Sequence, residues 1–247
     1  SPMNRLENKK IVVTGASSGF GEAIALACAQ EGADVALVAR RADKLEALAN
    51  RIRSMGRTAI VCPCDVGEQA EIEAAVAAAR AGLGRIDVLV NNAGMNVSHR
   101  RIDATTTEEW DRIINVNLTS AWLFTKIVLP EMIERRDGTI INIGSKAANY
   151  PSLLAGVAYS ASKLGMHALT RVTNEEGNPH MVRACTINPG VGATPILDLR
   201  PKPPSAEDRA KMMQAEDVAM TVVFAASLPQ RANVERIDLY PTDVSVG

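Results

Sequence analysis

Short, uninterrupted apolar runs alternate along the chain with longer segments whose apolar residues recur every three or four positions. Ile11-Val12-Val13 is one such run, and residues 35–38, 58–62, 88–90, 139–143, 182–187 and 237–240 repeat it. Runs that are apolar on both faces predict buried strands, and a three-to-four spacing predicts amphipathic helices. Helices are expected at 21–32, ending at Gly32, and at 43–55, where Leu45, Leu48 and Ile52 share a face before Gly56. Further helices are expected at 68–81, 159–175 and 215–227. A long one opens near Thr105 and Thr106, each three residues before a glutamate (Glu108, Glu109) as in a capping box, and runs through Trp110 and Leu123. Strands separated by helices predict one α/β domain over residues 1–247, a parallel sheet covered on both faces.

Residues 189–213 break the rhythm, with Pro195, Pro201, Pro203 and Pro204 set among Arg200, Lys202, Asp208 and Arg209. An irregular segment of this length, placed after a strand's C-terminal end, predicts a substrate-binding lid, assigned to 190–213. Ser1-Pro2 ahead of Met3 reads as a cloning remnant at residues 1–3.

Composition narrows the function. A net charge of -1 and 3% aromatic residues argue against a nucleic-acid surface, electrostatic or stacked. No apolar run nears the ~20 residues of a membrane span, and the polar N-terminus is unlike a secretion signal, so a cytoplasmic location is expected. Cys62 and Cys64 have one residue between them, which fits neither a redox pair nor a zinc knuckle. His99, His167 and His180 are scattered, and no metal site is expected.

The chemistry begins after the first strand. Thr14-Gly15-Ala16-Ser17-Ser18-Gly19-Phe20-Gly21 joins it to the first helix. Glycines there let backbone approach a pyrophosphate, and the helix N-terminus offers unpaired N–H groups. The second strand ends in Arg40-Arg41, where an NAD-selective site would carry an acid. Arginine matches a 2′-phosphate with a planar fork, which predicts NADP(H), with Arg40 the main contact and Arg41 an auxiliary. Tyr159 and Lys163 are four apart on a helix and share a face. A nearby ammonium favours the phenolate and would bring a phenol's pKa of about 10 down towards neutrality. Tyr159 could then exchange a proton with a substrate oxygen, which Ser145 would hydrogen-bond. Ser160 and Ser162 are expected to point to other helix faces.

Taken together, Thr-Gly-x-x-x-Gly-x-Gly at 14–21, Asn91-Asn92-Ala93-Gly94, Asn117, Ser145, Tyr-x-x-x-Lys at 159–163, Pro189-Gly190 and Thr194 resemble the short-chain dehydrogenases/reductases, in order and over nearly the whole chain. The resemblance implies a Rossmann-type doubly wound parallel sheet of about seven strands. It also implies hydride transfer between nicotinamide and a carbonyl or secondary alcohol of a small substrate. Asn117, Ser145, Tyr159 and Lys163 are the implied catalytic set, Asn117 holding a relay water and Lys163 the nicotinamide ribose. Gly15, Ser17, Ser18, Gly19, Phe20 and Gly21 would hold the pyrophosphate side, and Asp65 and Val66 the adenine. Asn92, Ala93 and Gly94 would approach the adenosine ribose, and Pro189, Gly190 and Thr194 the carboxamide. Homodimers or homotetramers are implied, through the long helix and the tyrosine-bearing helix.

Two features depart from the common pattern. Phe20 stands where a small aliphatic residue is usual, which should alter packing, and the C-terminal stretch 238–242 lacks an Asp-Gly-Gly. The second departure leans away from 3-oxoacyl-[acyl-carrier-protein] reductase, the alternative within enzymes. That alternative would need a basic patch, for which Arg100, Arg101, Arg135 and Arg136 are the candidates. A catalytically silent nucleotide-binding regulator is the alternative of another class.

Overall fold

A computed structural model describes residues 4–246; the expected cloning remnant at 1–3 lies outside them. The first strand, β1 (Lys10–Thr14), sits mid-sheet because Ile11 to Thr14 are buried. The chain then winds outward through α1 (Gly19–Gln30), β2 (Asp34–Ala39), α2 (Ala42–Ser54), β3 (Ala59–Pro63) and α3 (Gln69–Leu83). It returns past β1 to β4 (Val88–Asn91) and winds the other way through α4 (Thr107–Ile114), α5 (Ser120–Arg135), β5 (Gly138–Ile143), α6 (Lys146–Asn149), α7 (Val157–Gly177) and β6 (Val182–Pro189). After α8 (Ala206–Lys211) and α9 (Ala215–Ser227) comes the edge strand β7 (Arg236–Leu239). Among the described residues the order is β3-β2-β1-β4-β5-β6-β7, every pair parallel. This is the expected Rossmann-type α/β domain. The reversal between β1 and β4 leaves a crevice at their C-terminal ends.

Alternate strand residues feed two cores. Ile11, Val13, Val35 and Leu37 pack with Ile24, Leu45 and Val222 of α1, α2 and α9. Val12, Ala36 and Val38 pack on the opposite face with Ile72, Phe124 and Met132 of α3 and α5. Phe124 is fully buried, so Phe124→Ala should cost about 3–5 kcal/mol.

The long helix differs from the expectation in two ways. Thr106 alone forms the capping box with Glu109; the Thr105 hydroxyl donates instead to the Arg101 carbonyl at 2.9 Å. The helix also carries a π turn, Asn115–Thr119, between α4 and α5. The run Thr107–Arg135 has the length and hydropathy of a membrane span, but 56% of its most apolar window is buried against the rest of the protein. The irregular segment is partly ordered by a 3-10 turn, Pro195–Leu199, and by α8. Gly192 pairs with Met213, closing the segment at its base, and Met212 packs with Leu197 and Val246 in a small core of its own.

Candidate active site

The ends of β1 and β4 are latched across the crevice. The Thr14 hydroxyl accepts the backbone N–H groups of Asn92 and Ala93, each at 2.9 Å. The Asn92 amide donates back to the carbonyls of Thr14 (3.1 Å) and Gly15 (3.2 Å). This closeness requires the glycines. Gly15 has φ +62°, and a Cβ on Gly21 would run into the Gly15 carbonyl oxygen. A side chain there would lift the loop off the start of α1, where Ser18 is the N-cap and uses no side-chain bond.

One cleft of about 460 Å³ runs from this loop to Lys163 and brings together most of the expected cofactor residues. Gly15, Ser17, Ser18, Gly19 and Phe20 line it beside Arg40, Arg41, Asp65, Val66, Asn92, Ala93, Gly94, Tyr159 and Thr194. Gly21 lies buried beneath the loop, and Pro189 and Gly190 line an adjoining cleft. Arg41 donates to the Ser17 hydroxyl at 3.3 Å, while the exposed Arg40 side chain has no hydrogen-bond partner among the described residues. Asp65 is not the N-cap of α3, which is Glu68; its Oδ1 accepts the Gly67 N–H at 2.9 Å.

Ser145 follows β5 and caps α6. Its hydroxyl oxygen accepts the Ala147 N–H at 3.0 Å, and it lines the same cleft as the Tyr159 phenol. Lys163, 3% exposed, donates from Nζ to the Ile143 carbonyl at 2.9 Å, with Nζ 5.6 Å from the centre of the Tyr159 ring. Burial pulls the Lys163 pKa down to about 8. Burial also pushes the Tyr159 phenol above its ordinary value, opposed by the Ser145 hydrogen bond and the charges of Arg100 and Arg200. The expected lowering by Lys163 is therefore corrected. Desolvation outweighs the opposing influences, which come from Ser145, Arg100 and Arg200.

Residues 9–203 match the family model for short chain dehydrogenase. The chain belongs to the short-chain dehydrogenase family. An uncharacterized oxidoreductase of Staphylococcus aureus (strain MRSA252) is 34% identical over 97% of this chain and 100% of its own length. Among solved structures, a metagenomic short-chain oxidoreductase in complex with NADP is 33% identical, with TM-score 0.83 over 96% of this chain and 99% of the other. A 3-ketoacyl-(acyl-carrier-protein) reductase from Brucella melitensis complexed with NADH is 30% identical, with TM-score 0.86 over 96% and 98%. The protein is thus an oxidoreductase acting on a CH–OH group.

Asn117, Ser162 and Asn188 of this short-chain dehydrogenase make contacts between segments distant in the chain. Asn117 lies in the π turn and is fully buried. Its Oδ1 accepts the Met95 N–H at 2.8 Å, and its Nδ2 donates to the Met95 carbonyl (3.0 Å) and the Ser162 hydroxyl (3.2 Å). Ser162 is therefore part of the framework, because the i+3 turn of α7 aims its hydroxyl at Asn117 rather than away. Asn188 of β6 lies beyond the apolar run and carries no motif of its own. Its Oδ1 accepts the Ser145 N–H at 3.1 Å, and its Nδ2 donates to Asp238 at 3.0 Å and lies 2.9 Å from His167 Nε2. Arg236, then Asn188 and Asn149, hold the Asp238 carboxyl down at about 2.

The basic patch is not assembled. Arg100 is only 8% exposed and faces inward, donating to the carbonyls of Val97 (2.8 Å), Leu154 and Leu199 (3.0 Å). Arg135 and Arg136 end α5 and lead into the N-terminal end of β5, whereas Arg100 and Arg101 follow the C-terminal end of β4. The two pairs therefore lie at opposite ends of the parallel strands. A second cleft of about 440 Å³ meets the first at Phe20, Tyr159 and Thr194, and holds Ser145 in its wall. Phe20 packs on Gly192, at the base of the 190–213 segment.

Proposed function

We propose that this oxidoreductase transfers a hydride between NADP(H) and a carbonyl or secondary alcohol carbon of a small substrate. The observation carrying this reading is the meeting of two clefts at Tyr159, one running back to the glycine loop and Arg40, the other with Ser145 in its wall. The glycine loop fits a pyrophosphate, since no Cβ could be accommodated at Gly21. At the end of β2 two arginines and no acid fit a 2′-phosphate. The metagenomic relative binds NADP, which agrees; the Brucella relative was solved with NADH, so the preference rests on the arginines.

NADP(H), when bound, supplies or accepts the hydride. In reduction the Tyr159 hydroxyl gives its proton to the developing alkoxide, and in oxidation it takes one. Ser145 donates a hydrogen bond to the same oxygen, its own oxygen being held by Ala147. Lys163 lies beside the phenol ring and faces the first cleft, where a ribose hydroxyl would lie. Asn117 braces the strand end at Met95 against α7 and supports a relay water there. Residues 190–213 act as the lid. The substrate is a small molecule, and neither nucleic acid nor membrane is a partner.

The alternative of a carrier-protein substrate has the Brucella similarity in its favour, but among the described residues the four candidate arginines do not form one basic face to receive an acidic carrier. The same proposal includes a cytoplasmic location and self-association through α4, α5 and α7, where Trp110, Trp122, Leu164 and Val172 are exposed. Light scattering tests the second point. Fluorescence titration with NADPH and NADH tests the central one. Tight NADPH and weak NADH binding is expected, NADH preference would overturn the arginine argument, and no binding of either would overturn the reading.

A further inference from the structure

The substrate cleft is unusually one-signed. Arg100, Arg200 and Lys146 line it, and among the described residues no aspartate or glutamate does. Lys146 is engaged at the rim, its Nζ 5.5 Å from the centre of the Tyr240 ring. The two arginines are different. Arg100 bonds only to neutral carbonyls, so its charge is held in place but not neutralised. Arg200 is half-buried, and its guanidinium has no hydrogen-bond or ionic partner among the described residues. The charges acting on it are those of Arg100 and Arg209, both positive, and the Tyr159 phenol. Arg209 is itself already paired, with Asp198 at 2.6 Å.

A half-buried guanidinium facing two others is costly, because desolvation and like-charge repulsion act together. Both influences pull the pKa of Arg200 and of Arg100 below the usual arginine value. The fold does not let Arg200 escape. Its backbone is held by the Leu197 carbonyl at 3.2 Å, and the Leu199 carbonyl just before it accepts from Arg100 and from the Ser98 hydroxyl at 3.2 Å. Arg100 thereby fastens the 3-10 turn that presents Arg200 to the cleft. An arrangement that holds an unpaired arginine beside the reacting phenol suits a ligand that brings its own negative charge.

We infer that the substrate is a small hydroxy or oxo acid, its carboxylate received by Arg200 while its carbinol or carbonyl carbon lies at Tyr159 and Ser145. Guanidinium and carboxylate match in a two-bond fork, which would orient the acid as well as bind it. Arg100 is the positioning residue, acting through Leu199 and adding to the positive field. The inference rests on the hydride-transfer reading above and narrows it to one class of substrate.

The test uses 2-hydroxybutyrate and 3-hydroxybutyrate, each beside its uncharged methyl ester, with NADP+ and the whole protein. One of the acids should exceed its ester in kcat/KM by on the order of 100-fold, the scale of a desolvated charge pair. In Arg200→Gln that ratio should collapse towards one, chiefly through KM for the acid, and Arg200→Lys should recover part of it. Equal use of acid and ester by the natural protein, or an unchanged ratio in Arg200→Gln, overturns the inference while leaving hydride transfer standing. Calorimetric titration with the two acids separates the opposite failure. Binding that weakens in Arg200→Gln, without NADP+ reduction, would keep the carboxylate site and overturn the hydride-transfer reading. Binding that does not weaken in Arg200→Gln overturns the inference.

Discussion

The Asn188 side-chain oxygen on β6 accepts the backbone N–H of Ser145 at 3.1 Å, so the serine's position is set by the neighbouring strand. Asn188 is fully buried, and its amide is held in turn by Asp238. The loop bearing Ser145 is thus tied through two strands to the sheet edge. Asn188→Ala would leave the Ser145 N–H and the Asp238 carboxylate short of a partner. A stability loss of about 1–3 kcal/mol is expected, with a fall in kcat larger than the change in KM. Urea unfolding and steady-state kinetics check both; unchanged kcat would mean Ser145 needs no such support.

Tyr159→Phe removes the proton donor and keeps the ring that packs between the two clefts. Turnover should fall on the order of 1,000-fold while NADPH affinity changes little. Comparable turnover in that variant would sink the mechanism.

Arg40→Ala should weaken NADPH binding by on the order of 10- to 100-fold, as expected for a lost charge-assisted contact, and should hardly alter NADH binding. Arg41→Ala should have the smaller effect, since Arg41 is already engaged with Ser17. Fluorescence titration of both variants with both nucleotides measures the difference.

Burial holds Tyr159 protonated through the neutral range. Reduction, which needs the phenol, should be flat around neutrality and fall only on the alkaline side. Oxidation needs the phenolate and should climb with pH over the same range. Removing the Arg200 charge should move both limbs to higher pH, because that charge favours the phenolate. Rate profiles in the two directions, for the natural protein and Arg200→Gln, test the sign.

Lys163 ionises near 8 in the folded protein, against 10.5 ordinarily. Between those values the unfolded chain holds more protons, so folding should become more favourable as pH rises, by up to about 3 kcal/mol. Below about pH 8 both states are protonated and this contribution is constant. Urea unfolding at pH 7.5 and 9.5 should show the rise in the natural protein and lose it in Lys163→Met.

Much of this was legible from the residues in order. β-branched runs such as Ile11-Val12-Val13 can be buried on both faces only in a covered parallel sheet, and the helix at 215–227 coincides with α9. The glycine spacing and the Tyr159–Lys163 interval are local rules, because turn geometry and helix pitch depend on near neighbours. What could not be read were relations between distant segments. Nothing local in Asn115–Thr119 signals a π turn; it becomes evident in the tie from Asn117 to Met95 and Ser162. Arg100 stands beside Arg101 like a surface charge in the sequence, but the Leu199 carbonyl of the irregular segment turns it inward. The sequence by itself determined most of the elements, the glycine turn after β1 and the shared helix face of Tyr159 and Lys163, since each follows from contacts within a few residues. Only the tertiary structure decided which charges lose their solvent. Desolvation at Tyr159, Lys163, Arg100 and Arg200 depends on segments up to a hundred residues apart packing over one crevice, and that packing sets their proton affinities.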